Sequence, residues 1–141
     1  MNSEIVKKEV FPSVLKRIEE RKDSLVNIMK FPQTGIEGWF KVETVTALAN
    51  TRHAVKLVRN QGPDLMLDSG IEIELKGATD FNVTGLINEV KKHNTFLLFL
   101  QNGNKETKIQ RLEKDLDVEL ITHEFIDDGI NKWVIGLIKP K

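Results

Sequence analysis

Residues 62–77 read GPDLMLDSGIEIELKG. Two short apolar runs, DLMLD (64–68) and IEIELKG (71–77), are bounded by Gly62–Pro63 and Ser69–Gly70. Runs of this length between turn-forming residues predict two strands joined in a hairpin. Successive side chains on a strand point to opposite faces. Ile71, Ile73 and Leu75 therefore share one face, and Glu72, Glu74 and Lys76 share the other. In the preceding run Asp64, Met66 and Asp68 lie on one face. A hairpin lets an acid of the first strand meet acids and a lysine of the second.

Outward from this hairpin, AVKLVRN (54–60) reads as a third strand, so the sheet begins as an antiparallel meander. Upstream, PSVLKRIEERKDSLVNIMK (12–30) has helical apolar spacing, with Pro12 in the first turn. FPQTG (31–35) breaks it, and IEGWFKVETVTALAN (36–50) forms a second helix. Downstream, Asp80 or Asn82 caps a helix over 83–93. The continuous apolar run TFLLFLQNG (95–103) predicts a strand buried on both faces. KETKIQRLEKDL (105–116) is a charged amphipathic helix. Residues 118–127 and 132–139 close as a strand pair across DGIN, with Asp127–Asp128–Gly129 as a turn. The order α-α-β-β-β-α-β-α-β-β is an α/β chain of the α+β type, expected to fold as a single domain over residues 1–141.

Composition limits the function classes. Lysine plus arginine number 21, as do aspartate plus glutamate, so the net charge is zero. A broad cationic surface is excluded, though local patches are not. The chain has no cysteine, which rules out disulfides and Cys-based zinc sites. No apolar run approaches the roughly 18 residues of a membrane span, and the start MNSEIVKKEVF lacks the apolar middle of a signal peptide. A cytoplasmic protein without a membrane partner is expected. His53, His93 and His123 have no helical metal-binding spacing among themselves.

The acids of the hairpin point to chemistry. Two carboxylates at one sheet edge repel each other and are kept ionised by a cation between them. Mg²⁺ takes oxygen ligands, typically one or two carboxylates plus water. Asp64 and Glu74 fit that role, with the backbone carbonyl of Leu75 as a third ligand. Lys76 can orient a metal-bound water and offset charge in a phosphoryl transition state. At about 100° per residue, Glu43 falls within the apolar side of the second helix, among Ile36, Trp39, Phe40 and Ala47. Glu37, Lys41 and Thr44 fall on its polar side. An acid in an apolar stripe needs a partner: the metal site, Lys76, or a structural ion pair.

Pro63–Asp64, then Glu74-Leu75-Lys76, with Glu43 on the helix before them, resembles the PD-(D/E)xK nucleases of the restriction-endonuclease-like superfamily. The family core is a helix, a three-strand meander, a helix and a further strand, and residues 36–102 follow that order. The resemblance implies a restriction-endonuclease-like mixed sheet flanked by helices, with an extra N-terminal helix and a C-terminal strand pair. It implies a Mg²⁺- or Mn²⁺-dependent endonuclease acting on DNA, of restriction-like, repair or junction-resolving type. In that scheme Asp64, Glu74 and the Leu75 carbonyl bind the metal, Lys76 is the catalytic lysine, and Glu43 supports the metal or its water. Lys91 and Lys92 at the end of one helix, and Lys108 and Arg111 along the next, are candidate nucleic-acid contacts. A homodimer is expected because a duplex offers two strands to cut. The alternatives are a catalytically silent protein of this fold that binds or assembles, and an unrelated α/β domain whose strand acids are merely solvated.

Overall fold

The computed structural model describes residues 2–31, 33, 35–53, 55–57, 63–103 and 105–141, with Lys56 and Leu57 as backbone only. The chain begins with α1 (Ser3–Ile5), a π-helical stretch (Val6–Val10) and α2 (Phe11–Glu20), followed by α3 (Asp23–Lys30) and α4 (Ile36–Ala49). Then come β1 (Val55–Leu57), β2 (Leu65–Leu67), β3 (Glu72–Ala78), α5 (Val83–His93), β4 (Phe96–Asn102), α6 (Glu106–Glu113), β5 (Val118–Asp127) and β6 (Lys132–Pro140). The fold is a mixed α+β arrangement, as the sequence order predicts.

The six strands form one sheet in the order β1-β2-β3-β4-β6-β5. β1, β2 and β3 are the expected antiparallel meander. β4 returns through α5 to lie parallel to β3, with Glu74 beside Leu97 and Lys76 beside Phe99. β6 then pairs antiparallel with both β4 and β5, so the last strand is interior and β5 forms an edge. The remainder of the expected strand 54–60, together with Gly62, lies outside the described residues.

The sheet is covered on both faces, and the strands record this residue by residue. In β4, Phe96, Leu98 and Leu100 join the core beneath the N-terminal helices. Leu97 and Phe99 join the core beneath α5 and α6. β6 alternates in the same way, with Trp133, Ile135 and Leu137 on the first face and Val134 and Ile138 on the second. All these side chains are buried, and each such burial is worth about 1.5–3 kcal/mol. This double burial is why the sequence of β4 reads as a continuous apolar run.

Residues 12–30 do not make one helix. The chain turns at Arg21–Lys22, where the Arg21 amide donates to the carbonyls of both Arg17 and Ile18. No apolar side chain lies between Ile18 and Leu25, so nothing ties the middle of the segment to the core. Asn82 rather than Asp80 caps α5, its Oδ1 accepting from the Gly85 amide at 2.9 Å. The hairpin turn before β6 is built on Asp128, which accepts from the amides of Ile130 and Asn131 and from Trp133 Nε1. Those donors hold its carboxyl below the usual range despite burial.

Candidate active site

The β2–β3 register pairs Leu65 with Ile73, so one step back along the chain sets Asp64 across from Glu74. At that point β2 has ended, and a side chain takes over the ladder. Asp64 Oδ2 accepts from the backbone amide of Leu75 at 2.8 Å. Lys41, reaching from α4, places its ammonium 2.9 Å from Asp64 Oδ1. Burial opposes ionisation of Asp64, but the Leu75 amide and Lys41 outweigh it and hold the carboxyl below its usual value. The Lys41 ammonium is likewise favoured: burial works against it, and the carboxylates of Asp64, Glu37 and Glu74 more than compensate.

Glu74 has the opposite balance. Its side chain is 13% exposed, and its Oε2 is buried without a hydrogen-bond partner among the described residues. Burial first, then the adjacent Asp64, push its carboxyl up to about 7. On its other side stands His93, whose Nε2 is 3.7 Å from Glu74 Oε1 and 3.1 Å from Glu89 Oε2. Glu89 and His93 are one turn apart on α5, and their ligand atoms and that of Glu74 lie within 4.8 Å of one another. A paired i, i+4 acid and imidazole beside a half-buried acid is a donor set able to take a divalent ion. Spacing among histidines alone does not reveal it, because the other ligands are glutamates.

Lys76 follows two residues after Glu74 and lies 3.6 Å from Glu37 Oε1 on α4. The first turn of that helix comes very close to the strand. A Cβ built on Gly77 would stand 3.0 Å from Glu37 Cα and 3.2 Å from Glu37 N. Glycine at 77 thus allows the contact that brings Glu37 to Lys76.

Glu43 occupies a different place. Its carboxylate meets Arg17 Nε of α2 at 2.5 Å and Arg21 Nε at 3.9 Å. Of the partners open to an acid in that stripe, the structure supplies the ion pair with neighbouring arginines. Glu37 and Glu43 are six residues apart, which turns them about 120° around the helix axis. They flank opposite sides of the buried arc formed by Ile36, Phe40, Thr44 and Leu48. One flank meets α2 and the other meets β3. Thr44, expected on the polar side, is buried because α4 packs on both the sheet and α2. Val42 on the same helix is 63% exposed.

The basic residues separate into two groups. Lys91 pairs with Asp117 at 3.0 Å, and Lys92 is exposed beside it. Lys108 Nζ donates to the Phe81 carbonyl at 2.6 Å, and Arg111 Nη2 donates to Thr84 Oγ1 at 2.9 Å. Both line a cleft at the start of α5 with Asp80, Asn82 and Thr84. Comparison with known proteins finds no family model, no curated protein and no solved structure that matches the chain.

Proposed function

We propose that the protein is a metal-dependent nuclease of the PD-(D/E)xK type that hydrolyses phosphodiester bonds in DNA. The observation that carries this reading is the meeting of Asp64, next to the end of β2, with Glu74 on β3. Oε2 of Glu74 is buried and has no hydrogen-bond partner among the described residues, and Lys76 follows Glu74 on β3. Such an orphaned buried oxygen fits a donor set meant for a cation. The succession α4-β1-β2-β3-α5-β4, with β3 and β4 parallel, also follows the order of the restriction-endonuclease-like core.

In this reading Asp64, Glu74 and the Leu75 carbonyl hold Mg²⁺ or Mn²⁺. When bound, the ion supplies a water of lowered pKa and positive charge beside the attacked phosphate. The Leu75 amide fixes the orientation of Asp64 by hydrogen bonding to Oδ2. Lys76 offsets charge on the phosphate and orients the attacking water, while Glu37 sets the direction of its ammonium. Glu43, locked to Arg17, acts on the site through the placement of α4. Lys108 and Arg111 at the start of α5, and Lys91 and Lys92 at its end, contact the DNA backbone. Two copies act on the two strands of a duplex, inside the cell.

A catalytically silent binding protein of the same fold is the second reading. It is favoured by one observation, that Asp64 and Lys76 each already have a neighbour of opposite charge. Cleavage of plasmid and branched DNA with Mg²⁺ or Mn²⁺, compared with Asp64→Ala and Lys76→Ala, separates the two. Nicking by the wild type and neither variant supports the nuclease. Equal nicking by wild type and Lys76→Ala defeats it.

A further inference from the structure

Lys41 sits among acids from its own helix, from β3 and from the residue just before β2. Its ammonium is 2.9 Å from Asp64 Oδ1, and the carboxylates of Glu74 on β3 and Glu37 on its own helix act on it as well. Lys41 follows Glu37 by one helical turn, so a single face of α4 presents a cation to Asp64 and an anion to Lys76. Two negative groups facing each other are thereby neutralised by a side chain. The Asp64 oxygen held by that ammonium is one that a divalent ion shared by Asp64 and Glu74 would need.

The two cations exclude each other. A Mg²⁺ or Mn²⁺ ion bound to Asp64 sits about 2.1 Å from its oxygen. An ammonium within 3 Å of the same carboxylate would then face a double positive charge at close range. A protonated amine has no lone pair with which to become a ligand. Lys41 is 36% exposed and has a four-carbon stem, so it has somewhere to go.

We propose that Lys41 is a resident placeholder cation, which neutralises the acids of the empty site and is displaced from Asp64 when a divalent ion enters. Entry of the ion is then an exchange of one cation for another rather than a simple addition. Lys41 keeps ion affinity down in return for a stable empty fold. This inference rests on the reading of Asp64 and Glu74 as ion ligands.

The test is Mn²⁺ titration of the full chain, followed by calorimetry and by the electron paramagnetic resonance of free Mn²⁺. Lys41→Met is expected to tighten Mn²⁺ binding about tenfold, since a competing charge is removed. Lys41→Arg, which keeps the charge, is expected to stay within about threefold of wild type. In chelator, Lys41→Met is expected to melt below wild type, and Mn²⁺ is expected to raise its melting temperature further than that of wild type. Lys41→Gln serves the same comparison if the methionine variant does not fold. Binding by Lys41→Met or Lys41→Gln that equals or falls below wild type, with wild-type binding lost in Asp64→Asn, overturns the placeholder role alone. Absence of Mn²⁺ uptake in every variant, or uptake unchanged in Asp64→Asn, overturns the ligand assignment and the placeholder role together.

Discussion

Glu74 sits where burial and a neighbouring carboxylate act in the same direction, raising its carboxyl from an ordinary 4.5 to about 7. Between those values the folded chain binds a proton that the unfolded chain has released. The contribution of Glu74 to stability therefore falls as pH rises from about 4.5 to 7 and is fully lost above 7. Lys41, Asp64, Glu89 and His93 face the same group and shape the titration. Glu74→Gln is expected to raise the melting temperature of the metal-free protein by a few degrees at pH 8 and to change it little at pH 4. Thermal melts in chelator across that range check the sign. Glu43 leads to a contrasting prediction. Glu43→Ala leaves Arg17 without its buried partner, at a cost of about 3 kcal/mol. Melting should register that loss together with a small fall in Mn²⁺ affinity through the shift of α4, whereas Asp64→Ala should abolish Mn²⁺ binding outright. The strand residues of the site were legible because alternation along a strand fixes which side chains converge. The helix residues were less so. Helical periodicity marks Glu43 as the acid in the buried arc, but it carries no information on which neighbour covers each flank. Glu37 and Lys41 therefore read as solvated in sequence, although they face Lys76 and Asp64.

Among the elements, α4 and β3 determine whether the site exists, and Gly77 is their point of contact. A methyl at Gly77 meets backbone atoms of Glu37 and Ile36 rather than a side chain that could rotate away. Gly77→Ala is expected to displace the first turn of α4, destabilise by about 1–3 kcal/mol and weaken the pairing of Glu37 with Lys76. The proposed nicking activity should fall more in this variant than in an exposed-surface change of equal stability cost. Gly136 in β6 is hemmed in instead by a side chain of the core. A Cβ there would lie 2.4 Å from Phe99 Cζ, and Phe99 is itself stacked on Phe81 at 6.1 Å. Gly136→Ala should cost stability on a similar scale, measurable by denaturant unfolding, with Mn²⁺ binding unaffected. The meander, the capped α5, the doubly buried β4 and the final hairpin were all readable from apolar period and turn residues. The break at Arg21 was legible as well, in the apolar gap between Ile18 and Leu25, but the helical spacing on either side of the gap hid it. The position of β6 between β4 and β5 was not, since strand order follows from tertiary pairing and leaves no local mark.

For the whole molecule, zero net charge means that any hold on DNA depends on placement of cations rather than on their number. Lys108 and Arg111 stand together in one cleft at the start of α5. Replacing both with alanine is expected to weaken DNA binding and reduce the slope of log affinity against log salt by about 1–2. Fluorescence anisotropy over a salt series checks it, and an unchanged slope removes these residues from the interface. No helix among the described residues is long and apolar enough to cross a membrane.

The interior strand β6 comes late in the chain yet completes both β4 and β5. During synthesis on the ribosome, one edge of β4 stays open until residues near 140 have left the exit tunnel. Until then Leu97 and Phe99 lack Val134 and Ile138, part of the cluster that buries them, and the nascent chain presents an apolar strand able to pair with other chains. Production of this protein should therefore depend on holding chaperones more than its finished stability would suggest.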